Sequence, residues 1–142
     1  MRPLRLVFDT NVYLAALKPG NYASHWLKAA GTDPRFNVYA SPAILAEVKK
    51  KLREKFELPE VEIDRFMASL EWLVNLVHPT RSITVIVDDP DDDKVVECAV
   101  EARADLIISA DPHLYKLKEY EGIRIIHTSD LKYVFPQQPP MD

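Results

Sequence analysis

Short apolar runs, two of them closely followed by an aspartate, constrain this chain more than any other feature. Leu4-Arg5-Leu6-Val7-Phe8 runs into Asp9, and Leu106-Ile107-Ile108-Ser109 is followed after one residue by Asp111. Runs this short and this apolar suit strands buried on both faces. Phe36-Asn37-Val38-Tyr39-Ala40 and Ile123-Arg124-Ile125-Ile126 read as two further strands, and the β-branched stretch 83–87 as another at a sheet edge.

Helical signals fall between them. Segments 12–17 and 22–31 read as helices, with Gly31 as the stop of the second. Ser41-Pro42 supplies an N-cap and a proline at the first helical position, followed by the apolar stripe Ile44, Leu45, Val48 and Leu52. Pro59 opens a helix carrying Ile63, Phe66, Met67, Leu70, Leu73, Val74 and Val77, which His78-Pro79 ends. Asp89-Pro90 repeats the cap-plus-proline signal, and Val95, Val96, Ala99 and Val100 then turn inward. A short helix follows over 112–117. Strands alternating with helices predict a single α/β domain over 1–135, with a mainly parallel central sheet and helices on both faces. The proline- and glutamine-rich end, 136–142, reads as a disordered tail.

In such a fold the site lies beyond the carboxyl ends of the strands. Asp9 and Asp111 stand there, Asp92 lies in the first turn of a helix, and Glu47 lies on the helix after the second strand. Each has an ordinary structural role available. Asp9, Asp89 and Asp111 can cap helices, acids in a first turn suit the helix dipole, and Glu47 can be solvated. Yet five of the 22 acids fall within 88–93, more than a dipole requires. Gathered carboxylates repel unless a cation or protons offset them. Oxygen-only ligands suit Mg²⁺ or Mn²⁺. Asp93 is nearly as good a ligand candidate as Asp92.

The net charge of −4 argues against a general nucleic-acid coat protein but not against a nuclease holding a metal. Cys98, the only cysteine, is expected in the core and excludes both an internal disulfide and a cysteine-based zinc site. With no signal-peptide pattern and no apolar run long enough for a membrane span, a cytoplasmic protein is expected. His25, His78, His113 and His127 show no metal-binding spacing, and Trp26 and Trp72 are expected to pack. The basic run Lys49, Lys50, Lys51, Arg53 and Lys55 reads first as a solvated face and second as a support for an RNA backbone.

In combination, Val7-Phe8-Asp9-Thr10-Asn11, Ser41-Pro42-Ala43-Ile44-Leu45-Ala46-Glu47-Val48, Asp89-Pro90-Asp91-Asp92-Asp93-Lys94 and Ser109-Ala110-Asp111-Pro112-His113-Leu114 resemble the PIN-domain family over 4–131. The last two segments look like its VapC-like branch, the toxin components of toxin–antitoxin pairs. The resemblance implies a Mg²⁺- or Mn²⁺-dependent endoribonuclease. Asp9, Glu47, Asp92 and Asp111 would be its catalytic acids; Asp9, Asp92 and Asp111 would be metal ligands, and Asn11, Ser109 and Asp93 supporting groups. Where many relatives carry another polar or acidic residue, this chain has His113. The expected partners are an RNA substrate, a small antitoxin protein and a second copy of the chain, with no membrane. Two other classes stand beside this one. A phosphatase-type hydrolase would use Asp9 as nucleophile, but such enzymes usually carry a second Asp where Asn11 stands. A non-catalytic interaction domain would have no use for the four acids, which cost stability when unused.

Overall fold

A computed structural model describes residues 2–86 and 88–134; the expected tail over 136–142 lies outside the described residues. Strands β1 (Leu4–Phe8), β2 (Phe36–Ala40), β3 (Asn75–Leu76), β4 (Leu106–Ser109), β5 (Glu119–Tyr120) and β6 (Ile123–His127) form one sheet in the order β3-β2-β1-β4-β6-β5. All neighbours are parallel except the β5–β6 pair. Leu6, Val7 and Phe8 on β1, and all of β4, are buried at successive positions, so both faces of the sheet centre are covered. Helices α1 (Thr10–Ala15), α2 (Tyr22–Thr32), α3 (Pro42–Glu54), α4 (Glu60–Leu73), α5 (Asp93–Ala102), α6 (Pro112–Tyr115) and α7 (Leu131–Val134) supply the cover, as the α/β pattern predicts. No helix of the described residues is long and apolar enough to cross a membrane.

The chain leaves β1 toward β2 and β3 on one side and returns to β4 on the other. The order therefore reverses between β1 and β4, and the crevice at their carboxyl ends is the topological switch point. Asp9 and Asp111 follow those two strands.

Four expectations need correction. The stretch 83–86 is not a strand, because its amides are already taken by side chains. Ile83 N–H donates to Glu97 at 2.9 Å, Val85 and Ile86 N–H donate to Asp93 at 2.9 and 2.8 Å, and Thr80 N–H donates to Glu101 at 2.9 Å. Asp93, Glu97 and Glu101 are spaced four apart, so one face of α5 holds the whole strap. Its β-branched residues serve packing instead, with Ile83 and Ile86 buried.

Helix α4 stops at Leu73, with Val74 already extended, so Val77 lies beyond the helix and Asn75–Leu76 becomes β3. Gly31 does not end α2, which continues to Thr32. A Cβ at Gly31 would meet the Leu73 side chain at 2.7 Å, so the missing side chain lets α2 and α4 approach. Trp26 packs in the core, whereas Trp72 is 79% exposed.

Removing one strap anchor should show its worth. Glu97→Ala leaves the Ile83 N–H without its partner at a half-buried position, a loss of about 1–2 kcal/mol. Urea unfolding should give a lower midpoint with little change in slope. An unchanged midpoint would mean that water replaces the bond at no cost.

Candidate active site

Asp9 is 2% exposed and caps α1, with Oδ1 accepting from Val12 N–H at 3.1 Å. Its Oδ2 accepts from the fully buried Ser109 hydroxyl, and Ser109 Oγ in turn accepts from Asp111 N–H at 2.9 Å. One serine at the end of β4 thus ties the two acids at the switch point together. Asp111 caps α6 through His113 N–H at 2.9 Å, and its Oδ1 lies 3.6 Å from His113 Nδ1. Asp89 caps the 3-10 turn Pro90–Asp92, accepting from Asp91 N–H at 3.3 Å. The capping roles expected of Asp9, Asp89 and Asp111 are all filled, and they leave further carboxylate lone pairs unused.

Asp92 behaves differently. It stands at the N-cap of α5 without capping it, and its Oδ2 is buried with no hydrogen-bond partner among the described residues. Burial, a hydrogen bond shared with Asp111 when one of the pair is protonated, and the charges of Asp111, Asp89 and Asp9 push the Asp92 carboxyl up to about 8. Burial also raises Asp9, against the lowering by Ser109 and the Val12 and Asn11 amides, and Asp111 raises it further. Asp92 therefore senses the charge of Asp111, Asp89 and Asp9, and Asp9 that of Asp111. Asp89, Asp111 and His113 each offer a ligand atom within 4.8 Å of the other two. Asp89 was expected only to cap, and His113 showed no metal-binding spacing; their meeting with Asp111 depends on the turn at 90–92 and the start of α6.

The remaining candidates are placed elsewhere. Asp93 is buried and committed to the strap amides, as described above. Glu47 on α3 lies on the rim. Its carboxylate is clasped by Lys94 at one oxygen and by Lys51 at the other, 3.2 Å away, and the Thr10 hydroxyl donates to it at 3.3 Å. Burial raises its carboxyl, but Lys94 and Lys51 outweigh that and hold it below the usual range. Asn11 has an exposed side chain, and its backbone N–H faces Asp9. Cys98 is fully buried, as expected, and burial pushes its thiol up to about 12 despite a hydrogen bond with Ser41.

Among the described residues only Asp89, Asp111 and His113 bring ligand atoms within 4.8 Å of one another; Asp9 and Asp92 lie outside that group. The carboxylate oxygens of Asp89 and Asp111, with the unpartnered Asp92 oxygen nearby, are donors of the kind a small divalent cation takes. The donor set fits such an ion chemically, because a cation there would offset the repulsion that raises Asp92.

A parallel α/β sheet with interacting acids at its switch point defines a class of domain rather than one protein. Comparison with known proteins narrows it. The chain belongs to the PIN-domain family, a family of nucleases: the family model, described as PIN domain, matches residues 5–113. It is 28% identical over 141 residues to the uncharacterized protein MJ1680 of Methanocaldococcus jannaschii, covering 95% of this chain and 88% of that one. Its fold is similar to VapBC2 from Rickettsia felis, solved bound to a DNA fragment from the promoter. That match has a TM-score of 0.63 at 10% identity and covers 87% of this chain and 98% of the other. It is also similar to PAE2754 from Pyrobaculum aerophilum, with a TM-score of 0.62 at 14% identity, covering 97% and 98%.

Proposed function

We propose that this chain is a Mg²⁺- or Mn²⁺-dependent endoribonuclease that hydrolyses RNA phosphodiesters, with Asp9, Asp92 and Asp111 as ligands of the cation. The observation that carries the proposal is the buried, unpartnered Asp92 oxygen beside Asp111, within reach of the charge of Asp9. A divalent ion bound there supplies Lewis-acid polarisation of a phosphoryl oxygen and lowers the pKa of a water. The protein supplies rigidity. Ser109 and Val12 N–H fix both oxygens of Asp9, and Ser109 Oγ holds the backbone of Asp111. Glu47 is the fourth catalytic acid, kept ionised at the rim by Lys94 and Lys51. Asn11 supports as an exposed polar group next to Asp9.

A small antitoxin protein is the proposed partner and a homodimer the proposed assembly, in a cytoplasmic setting. The likeness to VapBC2 supports the first of these. The purified protein should cleave single-stranded RNA in Mn²⁺, stop in EDTA, and leave p-nitrophenyl phosphate intact. Hydrolysis of the phosphomonoester without RNA cleavage would instead establish the phosphatase-type alternative. Metal-saturated protein inactive on both substrates would favour a non-catalytic interaction domain.

A further inference from the structure

We propose that the groove between α3 and the start of α5 is the track of the RNA backbone, leading the strand to the acids along a file of lysine ammonium groups. The groove encloses about 500 Å³, with Lys50, Lys51, Lys55 and Lys94 on its walls and Ala43 and Ala46 among its lining. Small side chains at 43 and 46 leave room for a strand to lie close to α3. Lys51 and Lys55 are four residues apart on one helix, a rise of about 6 Å. Lys51 and Lys94 clasp the same Glu47 carboxylate. The file therefore runs from Lys55 through Lys51 to Lys94, which stands two residues beyond Asp92.

Charge supports a polyanion here. The groove's four lysines meet three acids, Glu47, Glu54 and Asp91, for a balance of +1 in a chain whose net charge is −4. Glu47 is already spent on Lys51 and Lys94. Lys50 and Lys55 are exposed and have no ion-pair or hydrogen-bond partner among the described residues. Two ammonium groups without partners, Lys50 and Lys55, beside the two that clasp Glu47, suit successive phosphates better than one small anion. Phosphate contacts position a strand without reading its sequence, so the track fixes where the chain lies and leaves the choice of base to other groups. The direction toward the acids rests on the nuclease function proposed above.

The test is the salt dependence of RNA binding. A fluorescein-labelled single-stranded RNA is titrated by anisotropy in EDTA, which prevents cleavage, over a series of salt concentrations. Each phosphate contact contributes a slope of about 0.7 in log K against log[salt]. The double variant Lys50→Ala/Lys55→Ala should lower the slope by about 1.4 and weaken binding. The control Lys18→Ala/Lys28→Ala removes the same charge from exposed positions outside the groove and should keep the wild-type slope. Circular dichroism confirms folding of both. Equal slopes for the two doubles, or no RNA binding by the wild type at low salt, would overturn the track. So would poly-glutamate binding as tightly as RNA, with the same dependence on Lys50 and Lys55, since the groove would then serve acidic protein segments. Cleavage is scored separately in Mg²⁺. Lysine-dependent binding without cleavage refutes the nuclease and keeps the track; cleavage with lysine-independent binding does the reverse.

Discussion

Asp9→Asn should lose RNA cleavage by about 100-fold or more while the protein remains folded. Asp9 has two roles that this substitution separates. As a cap it accepts from Val12 N–H and from Ser109, and an asparagine carbonyl oxygen can keep the first of these bonds. As an ionised group it is one charge among mutually repelling acids, pushed up by burial and by Asp111. Removing that charge relieves repulsion, so the metal-free melting temperature should stay level or rise. A ligand that only caps would give a different pair of results: little change in either stability or rate. Both quantities are measured on one preparation. Undiminished, metal-dependent cleavage by the folded variant would remove Asp9 from the ligand set.

Chelation should abolish cleavage without unfolding the chain, because the buried apolar strands and helices carry the fold. The chelated protein should then lose stability as the pH rises. Asp92 is held at about 8 in the folded state, against 3.8 for the ordinary group. Between those values the folded state binds more protons than the unfolded one, so stability falls with rising pH. The loss is complete only above pH 8, and Asp9, also raised, acts in the same direction. The full shift corresponds to about 6 kcal/mol. Water screens much of that for a half-buried carboxyl, leaving about 1–2 kcal/mol, or roughly 5 °C in melting temperature. Mg²⁺ favours the ionised carboxylates, so it should stabilise the protein more at pH 8.5 than at pH 5.5. Thermal melts in EDTA and in Mg²⁺ at the two pH values check this. A metal-free protein that melts higher at pH 8.5 would contradict the crowding of Asp92 with Asp111.

The parts of the fold that sequence reveals are the strands with four or five residues of mostly apolar chain. Strands β1, β2, β4 and β6 are legible because their apolar runs have no competing use. Strands β3 and β5 are two residues each and leave no periodicity to read. The strap at 83–86 shows the limit of residue preference: valine and isoleucine report packing, while hydrogen bonding decides strand pairing. The carboxylates every four residues at 93, 97 and 101 were the available signal. Val74 and Val77 continue the helical spacing of α4 beyond its true end, because both still pack on the core from an extended chain.

At the site, chain order placed Asp9 and Asp111 at the switch point, since a residue after a parallel strand must emerge at its carboxyl end. The division of work between Asp92 and Asp93 was not legible. Neighbours in the first turn of a helix face different ways, and only packing shows that Asp93 meets the strap amides. The Glu47–Lys94 pair depends in the same way on how α3 meets α5.

A crystal grown in Mn²⁺ would show, through the metal's anomalous scattering, whether Asp9, Asp92 and Asp111 hold a divalent cation. The expected result is a peak bridging carboxylate oxygens of Asp9, Asp92 and Asp111, at about the 2.0–2.2 Å typical of small hard cations. A peak held only by Asp89, Asp111 and His113, with Asp9 left outside coordination, would remove Asp9 and Asp92 from the ligand set.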